Sequence, residues 1–284
     1  MALLNRFLTL QPRWIATVLV IPILYVVGWL EALLLLPFGL PSDQLSLTGT
    51  LLSFVQFLLL MPLWARVRWH EAKPFQHLGL TRQRHQVTPR LILLIQGSLW
   101  AIALLCLIAI PLVLNGWATW RGTLSLSTIS NAVALGLVVG VAEELIFRSW
   151  LQRELMHFWS AGQAFVGQAL IFSLVHTRFN LGLLNMLGLL LGLFLLGLLL
   201  GLQRRVDQNS LWGSIGLHGE LVAGWFVLQS DLLQISDDAP TWLIGPGGIH
   251  ANPLGSGVAI LALTALIAIK RKQLTADPTG HNAV

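Results

Sequence analysis

Charge is scarce in this chain: of 284 residues only 10% are Asp, Glu, Lys or Arg. Soluble globular domains carry roughly a quarter, so an ordinary soluble fold is excluded. There is a single cysteine, Cys106, which excludes an intramolecular disulfide and a cysteine-based metal site. Period-2 alternation is missing from the apolar stretches, which are continuous and Leu-rich, and this excludes a transmembrane β-barrel. No small-residue cleavage site precedes the first apolar run, so the segment from Ile15 is expected to stay as a span rather than leave as a signal peptide. No fixed-period repeat is present.

What remains is hydrocarbon: 55% of residues are hydrophobic and the mean hydropathy is +0.75. The apolar residues gather into runs near Ile15–Phe38, Leu47–Trp64, Leu91–Leu114, Ile129–Phe147, Ala161–His176, Leu181–Leu202, Leu211–Leu228 and Gly255–Ile269. Most approach the 20 or so residues that carry a helix across roughly 30 Å of hydrocarbon. Backbone polar groups inside lipid must bond within their own helix. The expected fold is therefore all-α, a polytopic transmembrane helical bundle of about eight spans. Ala161–His176 is short enough to be tilted, broken or partly re-entrant.

With the N-terminus cytoplasmic, only Arg121 and Arg178 of the 17 Lys and Arg fall outside. Positive-inside sorting then places both termini in the cytoplasm, as an even number of spans requires. The same sorting explains the net charge of +5, so nucleic acid is not an expected partner; the lipid bilayer is, and the expected location is the cell membrane, as a multi-pass protein. Trp14, Trp64, Trp117, Trp159 and other tryptophans near run ends read as interfacial anchors. Ser149–Trp159 mixes Trp150, Leu151, Leu155 and Phe158 with Gln152, Arg153, Glu154 and His157, the pattern of a connector helix lying in the interface. Gly136 with Gly140, Gly188 with Gly192, and Gly197 with Gly201 are spaced for close helix packing. Three stretches follow: 1–128, N-terminal transmembrane helices; 129–228, core helices; 229–284, an outside loop, the last transmembrane helix and a disordered tail.

A charge at mid-bilayer costs about 3 kcal/mol or more unless it finds a partner or water, so ionisable residues inside the runs are informative. Six qualify: Glu31, Glu143, Glu144, His176, His218 and Glu220. On a helix Glu144 and Arg148 share a face and can pair, while Glu143 points about 100° away and is left free. Phe172 stands one turn before His176 and can wall its imidazole. Glu220, two residues after His218, faces nearly the opposite side and is not expected in the same site. Glu31 needs only a neighbouring helix or the interface. Arg178 and Asn180 either line an outer vestibule or mark the water boundary. HExxH, GxGD, GxSG and Walker signatures are absent. One free carboxylate with two imidazoles on three helices can activate water and polarise a carbonyl, or ligate a metal.

The order EExxxR, FxxxH and a later His in a glycine-containing apolar helix resembles the CPBP family of intramembrane proteases, the CAAX prenyl endopeptidases and bacteriocin-processing relatives. The resemblance covers roughly Asn131–Trp225, which makes 129–228 the expected catalytic core. It implies that Glu143 activates the attacking water with help from His176, that Glu144 and Arg148 support the site, and that His218 binds or stabilises the oxyanion. The implied catalytic residues are thus Glu143, Glu144, His176 and His218, with Arg148 and Phe172 supporting. No cofactor is certain; a divalent metal such as zinc, if present, takes Glu143, His176 and His218. The family's later motif is usually HxxxN or HxxxD, but the fourth residue after His218 is Val222. Loss of an oxyanion donor there lowers turnover by about 10²- to 10³-fold unless another, such as Asn185, substitutes.

The implied activity is an intramembrane endopeptidase acting on a membrane-associated protein or peptide, with prenylated CAAX-type chains among the candidates. A catalytically weak or inactive relative that scaffolds or stabilises membrane proteins is the alternative, favoured by Val222. A proton-coupled transporter would use buried Glu and His equally well, but paired broken helices and an internal repeat are missing. One geometric condition attaches. With Ser149–Trp159 in the interface, a straight fifth helix carries His176 about 20 Å from the depth of Glu143, so either that helix starts deeper or the fourth runs on.

Overall fold

The computed structural model describes residues 2–71, 73–81, 86–247 and 251–276. The expected tail from 277 onward, Arg82 and Arg84 among the basic residues expected in the cytoplasm, and 248–250 of the outside loop lie outside the described residues. The chain divides into two compact units, Met1–Thr81 and Arg82–Val284.

The first unit holds α1 (Ala2–Leu8), α2 (Trp14–Leu35), α3 (Leu45–Trp64), a π-helical turn at Ala65–Trp69, and α4 (Pro74–His77). Glycines set the α2–α3 approach. A Cβ on Gly49 would stand 2.9 Å from Trp29 Cδ1, and one on Gly28 would stand 2.7 Å from the Ser53 nitrogen, so only small residues fit where lipid-embedded backbones close on each other. Glu31 on α2 accepts a 2.7 Å hydrogen bond from Gln56 Nε2 on α3. Arg68, fully inside the fold, donates to the carbonyls of Leu8 (3.1 Å) and Arg13 (3.0 Å) and to Thr17 Oγ1 (3.0 Å).

The second unit runs α5 (Arg90–Leu114), β1 (Ala118–Trp120), α6 (Leu126–Glu143), a π-helical segment (Glu144–Leu151), α7 (Gln152–Leu155), α8 (Ala161–Val175), α9 (Leu183–Val206), α10 (Trp212–Val227), β2 (Leu233–Ile235), α11 (Thr241–Ile244) and α12 (Gly257–Ala276). α10 packs on α5 and α6, and α9 packs on α8 and α12. The core between them is built from Leu104, Ile108, Phe172, Leu196, Leu217 and Leu263. α5, grouped by sequence with the N-terminal spans, lies in this second unit. A Cβ on Gly136 would stand 2.9 Å from the Gly219 oxygen, and one on Gly140 would stand 3.0 Å from the Ile215 oxygen. The Gly136/Gly140 pair therefore sets the α6–α10 distance.

All eight apolar runs contain a helix, and among the described residues five helical stretches are long and apolar enough to cross a membrane: Trp14–Phe38, Ser42–Trp69, Arg90–Leu114, Leu126–Leu155 and Leu183–Val206. Ala161–Val175 is a shorter apolar helix. The protein is a helical integral membrane protein. One expectation changes. Ser149–Trp159 is not a separate interfacial helix: α6, the π segment and α7 form one rod, Leu126–Leu155, in which Ser149, Trp150, Leu151, Glu154 and Leu155 are buried. Ser149 and Glu154 face protein rather than water, which imitates interfacial amphipathicity. The loop after α10 is ordered by pairing: β2 runs antiparallel to β1 with Ile235 opposite Ala118. Nearby, the Ser125 N–H donates 2.8 Å to Asp231 and holds that carboxyl below the ordinary Asp range.

Candidate active site

The first sequence motif sits where the rod changes helix type. Glu143 is the last residue of α6 and Glu144 the first of the π segment; π turns inside α-helices are frequent at functional sites. Glu144 turns inward, completely buried, with Oε1 3.2 Å from Nη1 of the equally buried Arg148. Glu143 keeps about a quarter of its side chain exposed.

The rod also resolves the depth problem. From Glu143 to Leu155 the chain advances about 18 Å; a turn then reverses it, and the 15-residue α8 rises roughly 22 Å back. A capping box starts α8: Ser160 Oγ accepts from the Gln163 N–H at 3.3 Å while the Gln163 side chain accepts from the Ser160 N–H at 3.0 Å. His176, the C-cap of α8, thereby returns to Glu143, its Nε2 3.7 Å from Glu143 Oε2. From the third helix, His218 Nε2 comes within 3.8 Å of the same oxygen. The fourth helix does run on, and Glu143, His176 and His218 meet.

Each imidazole has its far nitrogen engaged. His176 Nδ1 lies 2.7 Å from the Phe172 carbonyl, which can only accept, so that nitrogen carries the hydrogen. His218 Nδ1 lies 2.9 Å from Glu144 Oε1; the arginine-paired carboxylate also accepts, and the same tautomer follows. In both rings Nε2 is thus turned toward Glu143. Phe172, completely buried, wedges between them, its ring 4.8 Å from that of His176 and 5.8 Å from that of His218, with the Arg148 guanidinium 4.0 Å above it. Arg204 donates to the Arg148 carbonyl and fastens α9 to the π segment, a support that nothing in the sequence signalled.

Glu143 Oε2 is buried and makes no hydrogen bond of its own, and the same holds for Glu144 Oε2 and for the guanidinium nitrogens of Arg148. Native folds leave few such groups. A water or substrate atom between Glu143 and the two Nε2 atoms would find a carboxylate and two imidazoles.

His218 also lines a cavity of about 670 Å³, with Arg178, Asn180, Val222, Trp225, Gln229 and Asn252 among its walls and leucines over much of the rest. Arg178 and Asn180, ambiguous in sequence, therefore face this space. Val222 is there too, and contributes no donor. Asn185 is exposed, with its amide on the Leu181 carbonyl (3.2 Å), and is not among the walls. The conditional metal set does not fit: among the described residues no group of three or more His, Cys, Asp or Glu side chains is placed to hold a metal ion. The zinc expectation and the metalloprotease description that went with it are therefore unsupported.

Fold and site together describe a membrane-embedded helical protein with a carboxylate and two imidazoles joined inside a bundle. Residues 125–222 match the family described as type II CAAX prenyl endopeptidase Rce1-like, the family that the motifs resemble. Residues 3–73 match a domain of unknown function (DUF8676). No curated protein and no solved structure matches the chain. The family match supports intramembrane endopeptidase activity; the DUF match is confined to the first unit.

Proposed function

We propose that the protein is an intramembrane endopeptidase that hydrolyses a peptide bond in a membrane-associated protein or peptide, prenylated CAAX-type chains included, with water activated by Glu143. The observation that carries this reading is the convergence of Glu143 Oε2 with His176 Nε2 and His218 Nε2 at 3.7 and 3.8 Å from three separate helices. Glu143, with His176, takes a proton from water as its oxygen adds to the substrate carbonyl. The proton then passes to the leaving nitrogen as the C–N bond breaks. Glu144 and Arg148 fix the His218 tautomer and the helix around it, and Phe172 holds both rings in place. Oxyanion stabilisation falls to His218 when its Nε2 carries a proton. Val222 offers nothing, so Arg178 and Asn180, donors that line the adjoining cavity, are candidates for the missing contact.

The same reading takes the bundle as eight spans with both termini cytoplasmic, in the cell membrane, with 129–228 as the catalytic core. The test is protein-terminus profiling of membranes that express the wild type or Glu143→Gln at matched levels. New termini seen only with the wild type establish the protease and name its substrates. Coincident profiles, with partner abundances altered only when the whole protein is deleted, replace hydrolysis with a scaffold role.

A further inference from the structure

Five of the six ionisable residues inside apolar runs have a partner within the chain. Glu31 has Gln56, Glu144 has Arg148 and His218, and Glu143 faces His176 and His218. Glu220 has no partner among the described residues. It lies near the middle of α10, eight residues from its start and seven from its end, about 10–12 Å from either end by helix rise. With α10 as a span, which rests on the eight-span reading proposed above, a carboxyl group at that depth without water or partner is costly, and such residues mark functional surfaces.

Glu220 opens into a groove of about 530 Å³ on the side of α10 away from His218. α5 forms one wall, from Leu94 to Ala109, and α6 the other, from Ile129 to Leu137. The α5 wall spans about 22 Å, most of the hydrocarbon thickness. Apart from Cys106 and Ser98, whose hydroxyl donates to the Gly216 carbonyl at 3.4 Å, its lining is otherwise apolar, and Ile102, Ile129, Val133 and Leu137 are exposed along it. The length and shape suit a helix, and the single carboxyl asks for a cationic donor. A lipid chain fills the length but brings no donor. A second copy of this chain does not supply one at that depth either, since none of its eight apolar runs contains a lysine or an arginine.

We propose that this groove seats a transmembrane helix of a partner protein, whose lysine or arginine reaches Glu220 at mid-membrane. The surface is separate from the proposed hydrolytic site, and its occupancy does not depend on hydrolysis.

Cys106 makes this measurable. It is the only cysteine in the chain, it is exposed, and it lines the same groove. Beside it, Leu105 touches the position of Gly224, one turn beyond Glu220. The full-length protein in phosphatidylcholine vesicles is mixed with Leu-rich peptides of about 20 residues. Each peptide carries a central Lys, Leu or Glu and a cysteine one turn to either side, and disulfide formation with Cys106 is read. The Lys peptide should cross-link at least about fivefold more than the Leu peptide, and the Glu peptide no more than the Leu peptide. In Glu220→Gln the Lys peptide should fall to the Leu level, while Glu220→Asp should keep part of the preference. Equal yields for Lys and Leu in the wild type would hand the groove to lipid and overturn the proposal. So would a Lys preference that survives Glu220→Gln. The wild-type peptide series decides the matter even if the Gln variant does not fold.

Discussion

Arg68 in the first unit and Arg148 in the second are both buried, at 2% and 0% exposure, and their surroundings differ donor by donor. Arg68 gives its hydrogens to the Leu8 and Arg13 carbonyls and the Thr17 hydroxyl, with its guanidinium 4.7 Å above the Trp64 ring. Arg148 meets one carboxylate oxygen and a phenyl face, and no nitrogen of its guanidinium makes a hydrogen bond. The acids repeat the contrast: Glu31 is held by Gln56 at 2.7 Å, whereas Glu143 Oε2 has only two imidazole nitrogens at 3.7–3.8 Å. Burial of charge alone does not distinguish a scaffold from a reaction site. Charge buried without a hydrogen bond does: among the described residues the charged atoms buried without a hydrogen bond belong to Glu143, Glu144 and Arg148, whereas the others without one, such as Trp29 Nε1 and Gln168 Oε1, are neutral and cheaper to leave unmade.

The largest expected effect separates the two acids. Glu143→Gln should reduce cleavage of a reconstituted membrane substrate by about 10²- to 10⁴-fold while the folded yield and thermal unfolding stay near wild type. Glu31→Gln should leave the rate unchanged in the same assay. Equal losses from both would mean that the site's incompleteness has no catalytic meaning.

Next come the arginines, read by unfolding at matched lipid composition. Arg148→Met strands the buried Glu144 carboxylate, and stability should fall by about 3–5 kcal/mol. Arg68→Met strands backbone carbonyls rather than a charge, and should cost about 1–3 kcal/mol. The double variant Glu144→Gln with Arg148→Met should recover much of the single loss, because no unpaired charge then remains. His218 would still lack its orienting carboxylate, so cleavage should stay low. Recovery of activity along with stability would refute the role given to Glu144.

How far these distinctions were legible in the sequence depends on the separation of the partners. Glu144 and Arg148 pair within one turn, and helical spacing anticipated it. The meeting of Glu143, His176 and His218 followed from the cost of ionisable groups in lipid together with the family resemblance. Glu31–Gln56 is 25 residues apart and Arg68–Leu8 is 60 apart; both need helix packing that no local pattern encodes. In the sequence Arg68 is one more of the basic residues that positive-inside sorting places in the cytoplasm. The π segment was hidden because i→i+5 bonding leaves no composition signal. Glu154, fully buried, made a crossing helix look interfacial.

A smaller effect tests whether a glutamine-held acid behaves alike outside the first unit. Asp207, between α9 and α10, accepts from Gln203 Nε2 at 2.9 Å on both oxygens, and burial pushes its carboxyl up to about 6. Lys270, buried beside it, pulls the other way. A raised folded-state value means that the stabilisation is complete below the ordinary Asp range near 4 and is lost as pH rises through about 6. Stability should therefore drop by about 1.5 kcal/mol from pH 5 to pH 8 from this group, and Asp207→Asn should flatten that slope. A slope of opposite sign would show that Lys270 outweighs burial.

The smallest expected change is the stability effect of Glu31→Gln. An amide oxygen in place of the carboxylate can still accept from Gln56 Nε2, so the 2.7 Å contact loses its charge assistance and keeps its geometry. Lipid does not solvate the charge, so neutralising it removes a penalty of similar size to the assistance lost. The two nearly cancel, and the unfolding free energy should move by less than about 1 kcal/mol. Glu31→Leu separates them: it leaves the Gln56 amide without an acceptor against hydrocarbon, and should cost more than the Gln variant. If Leu proves as stable as Gln, the α2–α3 contact rests on Gly28 and Gly49 alone, and hydrogen bonding no longer marks the structural acid off from the reactive one.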